Sequence, residues 1–145
     1  MGDRPLDNLV RIGQLKAEPP ADMEIQGLLR SGLRRLDDAG RQELSLESRF
    51  DLAYNAAHAL ALAALRLRGY RSESRYLVFQ CLQHTVDLPV EQWRVLDQAH
   101  RKRNLAEYEG YMDVDEQLVA ATLRVAREVA KRVEALADGR SGLDG

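Results

Sequence analysis

The 145 residues include one cysteine, four prolines, two phenylalanines and one tryptophan. A single cysteine, Cys81, excludes a disulfide framework and a cysteine-rich zinc site. Three histidines, His58, His84 and His100, leave little for any metal centre, and no metal or cofactor is expected. Glycine-rich phosphate loops and nucleophile elbows are absent. Long apolar runs are absent too. The longest, Ala56 to Leu65, is interrupted by His58 and is far too short to span a membrane. The opening Met-Gly-Asp-Arg-Pro is polar, so no secretory leader and a cytoplasmic location are expected.

What is present fits one globular domain. Apolar residues make up 45% and charged residues 30%, which excludes disorder of the whole chain. A chain of this length buries roughly 68–70% of its unfolded surface and needs no staples. Arginine outnumbers lysine 18 to 3. Arginine forks grip phosphates and carboxylates bidentately; a GC-rich genome gives the same bias without function. The formal charge of −2 hides segregation. Residues 1–63 carry 8 basic and 10 acidic side chains, residues 64–104 carry 8 and 4, and residues 105–145 carry 5 and 9. The basic middle suits an anionic partner, or pairing with the acidic last third.

Alanine, leucine, arginine and glutamate dominate, and the prolines fall at element boundaries, so the chain reads as all-α. The first helix is expected from Pro5, with Asp3 as a cap, to about Lys16. The second starts near Pro20 or Asp22 and closes at Asp37–Gly40. The third is the long one, from Ser45 to Arg68, alanine-rich and stopped by Gly69. A fourth opens at Ser72 as N-cap and carries Leu77, Val78, Cys81, Leu82 and Thr85. A fifth opens at Asp87-Leu88-Pro89 and ends at Gly110. A sixth starts at Asp113 with a capping box to Glu116 and reaches about Ala137. Short connections predict an antiparallel up-down bundle of four to six helices. Residues 1–44 read as an N-terminal helical extension, 45–137 as the bundle and 138–145 as a flexible tail.

The chemistry-bearing stretch runs from Asp97 to Gly110. Trp93, Leu96, Ala99, Arg103 and Ala106 share one helical stripe, so Arg103 occupies a place reserved for an apolar group. Such an arginine must be paired or face an anion; Glu107, one turn on, is the nearest acid in sequence. His100, Asn104 and Tyr108 lie at i, i+4, i+8 on a neighbouring stripe. Arg66, Arg68, Arg71 and Arg75 read as a solvated face, or as a phosphate track if their helices converge with Arg101, Lys102 and Arg103. His58 reads as a packed histidine, His84 as a helix-end residue, Cys81 as a small hydrophobe and Trp93 as core.

Residues 45–137 resemble a HEPN (higher eukaryotes and prokaryotes nucleotide-binding) domain. The resemblance rests on Tyr54-Asn-Ala-Ala-His58, Gly69-Tyr70, and above all Arg103-Asn104 followed by Tyr108-Glu-Gly110. It implies a homodimeric helical bundle, often a metal-independent endoribonuclease of a bacterial toxin–antitoxin or defence system. It implies an RNA or nucleotide ligand and a nucleotidyltransferase-type antitoxin as partner. Arg103 matches the family arginine and Asn104 the polar residue after it. Tyr108 stands where the family has its histidine. A histidine near pKa 6.5 exchanges protons at neutral pH, whereas a tyrosine near 10 rarely does. The expectation is therefore binding through Arg101, Lys102, Arg103, Asn104 and Tyr108, with weak or absent catalysis. Catalysis, if present, falls to Arg103 with Tyr108 or His100. A purely structural bundle, with Arg103 as a buried ion-pair residue, is the remaining alternative.

Overall fold

The computed structural model describes residues 4–144, with side chains described to residue 139. Among these residues the order is α1 (Arg4–Arg11), β1 (Lys16–Ala17), α2 (Asp22–Ala39), α3 (Leu46–Leu67), β2 (Tyr70–Arg71), α4 (Arg75–Gln80), α5 (Leu82–Thr85), α6 (Val90–Glu109) and α7 (Glu116–Asp144). The fold is an all-α bundle with one two-stranded antiparallel ribbon, Lys16 opposite Arg71 and Ala17 opposite Tyr70. No helix among the described residues is long and apolar enough to cross a membrane.

The organising element is α3. Ser45 Oγ accepts from the Ser48 amide at 3.1 Å and caps its start. Gly69, at φ +92°, turns the chain away beyond its end. Between these signals the helix is apolar nearly all round, and Phe50, Ala53, Ala56, Ala57, Leu60, Ala63, Ala64 and Leu65 are fully buried. A helix with that pattern belongs at the centre of a bundle. It lies along both α2 and α7, which also touch each other, while α6 packs on α7 and α4. The close approach of α2 depends on Gly32, where a Cβ would sit 2.7 Å from Leu60 Cγ. So α2, which the sequence reading placed in an extension, lies along the central helix.

Several boundaries differ from expectation. The first helix stops at Arg11 because Gly13, at φ +81°, reverses the chain and sends Leu15 into the core. The expected cap Asp3 lies outside the described residues. The cap of α4 is Ser74, accepting from Leu77 N at 3.3 Å, while Ser72 Oγ accepts from the Ser74 amide. One helix was expected through Thr85, but the chain breaks at Cys81 into α4 and α5. There the Gln83 side-chain amide donates to Gln80 O and competes with the helical ladder. Asp115, not Asp113, caps α7, its Oδ1 accepting from Leu118 N at 2.8 Å. That helix continues through the expected tail to Asp144, since no proline or downstream packing interrupts its ladder.

Candidate functional site

One face of α3 is polar along part of its length. Asp51, Tyr54, Asn55 and His58 follow i, i+3, i+4, i+7 spacing, so they form one row. Arg75 and Phe79 on α4 and His100, Arg103 and Asn104 on α6 meet that row. Tyr54 is the hub. It is 1% exposed, and its ring stacks near-parallel to His100 (centroids 6.2 Å apart, planes 14° apart) and packs edge-on to Phe79. Two guanidinium groups approach the same ring, Arg103 Cζ at 5.2 Å and Arg75 Cζ at 5.6 Å from its centroid. Each is within range of a cation–π attraction.

Arg103 also donates from Nη1 to Asp51 Oδ1. Its partner is therefore an aspartate on α3, not Glu107 one turn along its own helix. Arg75 donates to Asn55 Oδ1 at 3.3 Å and makes no ion pair among the described residues. Two cations thus share one aromatic ring with one paired carboxylate between them.

His100 completes the group. Its Nδ1 lies 2.9 Å from Tyr54 Oη and its Nε2 lies 3.2 Å from Asn104 Nδ2. With Asn104 donating to Nε2, a neutral His100 carries its proton on Nδ1 and donates it to Tyr54. Burial lowers the His100 pKa, and Arg75 lowers it further against the opposing pull of Asp97. The imidazole is therefore neutral near pH 7. Burial also raises the Tyr54 pKa, so its phenol stays protonated. His58 packs edge-on to Phe79, and burial, with Arg75 and His100 adding, pushes its pKa down to about 4.

The remaining expected residues lie elsewhere. Arg101 pairs with Asp97 at 2.9 Å on the open side of α6. Lys102 lines a different concavity with Gln98, Asp113 and Asp115. Tyr108 is 92% exposed and does not meet Arg103 or Tyr54. The physical reason is helical drift: eight residues on from His100 the helix has turned about 80° past the original stripe. Among the other candidates, Cys81 is buried, with burial pushing its thiol up to about 11. Trp93 packs against the core, edge-on to Tyr76.

Nor do Arg66, Arg68, Arg71 and Arg75 form a track. Arg66 is 1% exposed and pairs with Glu24 at 2.7 Å and Glu18 at 3.3 Å. Arg71 pairs with the same two glutamates, and Arg68 donates twice to Thr85 O. Arg66 and Arg71 are thus paired with acids of the first third, as Arg103 is through Asp51. Sequence reasoning missed the roles of Asp51, Asn55 and Arg75. The polar row on an otherwise alanine-rich helix was the signal that could have found the first two.

With the geometry in hand, comparison adds no neighbour: no protein-family model, no curated protein and no solved structure matches the chain.

Proposed function

We propose that this protein is a HEPN-like up-down helical bundle that binds a phosphate group of RNA or a nucleotide at Arg75, His100, Arg103 and Asn104. The observation that carries this reading is the pair of guanidinium groups on the Tyr54 ring, one of them with no carboxylate partner among the described residues. Arginine forks offer two parallel donors to a phosphate, and Asn104 adds an amide beside them. The half-buried position of Arg103, 28% exposed, keeps it ordered but reachable. Catalysis in this reading is weak or absent, since no histidine follows Arg103. The reading carries with it the homodimer and the nucleotidyltransferase-type partner that the resemblance implies, and the cytoplasmic location expected from composition.

One observation favours a metal-independent endoribonuclease as the second reading. His100 is neutral and one turn from Arg103, its Nδ1 held by Tyr54, and its Nε2 lone pair becomes available to a substrate that displaces the Asn104 amide, 3.2 Å away. A positioned neutral imidazole is a competent general base. Incubation of RNA in EDTA with wild type and Arg103→Ala separates the two readings. RNA bound but intact supports the binding protein, and fragments from wild type alone support the nuclease. Absence of binding at ~50 mM salt, where phosphate contacts are strongest, sinks both.

A further inference from the structure

Arg49 points away from Tyr54, about 140° around α3. There a concavity of about 420 Å³ opens between the α2–α3 turn and α7. Arg49, Arg124 and Arg127 line it with the Gln42 amide, over Ala120 and Leu123. No carboxylate among the described residues lines it. None of the three arginines takes part in an ion pair among the described residues. Asp37, Glu134 and Asp138 border the neighbouring groove that Arg127 also touches, but they do not neutralise it.

Three guanidinium groups in one concavity repel one another, and an anion offsets that cost. Carbonyls at the neighbouring end of α2 are hydrogen-bonded. Gly40 N donates to Leu36 O and Asp37 O, both at 3.2 Å, and Arg49 Nε donates to Ala39 O at 2.9 Å. Gly40 lines the same concavity. Its φ of −77° is open to any residue, so backbone freedom does not explain the glycine. A Cβ there would sit 3.1 Å from Arg127 Nη2. A methyl there would shift that guanidinium by a few tenths of an ångström.

We propose that this concavity is a second anion site, distinct from the Arg103 group, for a small phosphorylated molecule of nucleotide size. The three arginines receive the phosphate, and Ala120 and Leu123 receive its apolar body. A volume of a few hundred Å³ is that of a small-molecule site and exceeds what a bare phosphate needs.

Isothermal titration of the full chain with inorganic phosphate and with ADP, at ~50 mM salt, tests it. Saturable binding is expected for both, tighter for ADP. Arg124→Gln and Arg127→Gln each weaken ADP about ten-fold, and Gly40→Ala weakens it about three-fold by displacing Arg127. Gly40→Ala keeps its urea midpoint, so its effect is not one of unfolding. In Arg103→Gln, whatever ADP the α6 group itself holds is lost, but the binding that Arg124→Gln and Arg127→Gln weaken persists. No saturable binding of either ligand overturns the proposal. So does binding that Arg103→Gln abolishes and Arg127→Gln spares, which would assign the anion to the α6 group. Equal affinity for phosphate and ADP would overturn the role of the apolar floor.

Discussion

Two arginines from the basic middle of the chain end in opposite circumstances. Arg66 is 1% exposed and every nitrogen of its guanidinium is engaged, by Glu24, Glu18 and the carbonyls of Glu18, Pro19 and Tyr70. It ties the end of α3 to the segment between α1 and α2, beside the β ribbon. Arg103 is 28% exposed and has one carboxylate and one ring. Its remaining donors are uncommitted among the described contacts. In a chain with 18 arginines, charge alone does not separate a fastener from a binding group. The number of donors already satisfied does. A saturated guanidinium has nothing left to offer a phosphate, whereas Arg103 and Arg75 do.

The comparison breaks if the two positions respond alike, and the largest expected effect is at Arg66. Arg66→Ala removes one of the two arginines that hold Glu18 and Glu24 and takes a donor from the carbonyls of Glu18, Pro19 and Tyr70. A loss of ~2–4 kcal/mol is expected in urea unfolding, from the cavity and the lost hydrogen bonds of a fully buried side chain. A loss under ~1 kcal/mol would place Arg66 among ordinary surface arginines.

Acid sharpens the contrast next. His58 has a folded-state pKa pushed below its ordinary 6.5, to about 4, so the unfolded chain binds more protons between those values. Stability therefore falls as pH drops from 6.5 towards 4. His58→Phe flattens that limb of a urea-midpoint profile; an unchanged slope would contradict the burial of His58. The Arg66 cluster responds lower. Arginine hydrogen bonds hold Glu18 and Glu24 below their ordinary 4.5, so their contribution is present above 4.5 and lost as pH falls beneath it.

Arg103→Ala comes third. Asp51 is 46% exposed and rehydrates when its partner leaves, so the cost is under ~1 kcal/mol. A loss of ~3–5 kcal/mol would instead favour the structural reading. Smallest is Tyr108→Ala. At 92% exposure it should move stability by less than ~0.5 kcal/mol. Thermal unfolding checks both variants.

The sequence announces α3 almost completely, from the Ser45 cap to the Gly69 exit, because those signals are local. It announces α6 as well, from Pro89 to Gly110. The β ribbon is illegible, since two-residue strands carry no periodicity and their pairing spans the whole of α2 and α3. The break at Cys81 is illegible because a side-chain amide, and no proline or glycine, interrupts the ladder. At the site, Arg103, Asn104 and His100 are legible as neighbours on one helix. Asp51 is not, because its pairing with Arg103 reaches across 52 residues of chain. Tyr108 is misread for a local reason: a perfect i+8 repeat drifts off a 3.6-residue helix.

The central claim is that Arg103 is reserved for a phosphate and is not a structural fastener. Titrating labelled single-stranded RNA from ~50 to ~200 mM salt, with wild type and Arg103→Gln at matched urea stability, tests it directly. The account predicts wild-type binding that weakens steeply with salt, and about ten-fold weaker binding in the variant. Equal binding by both proteins, or none by wild type at the lowest salt, would contradict it.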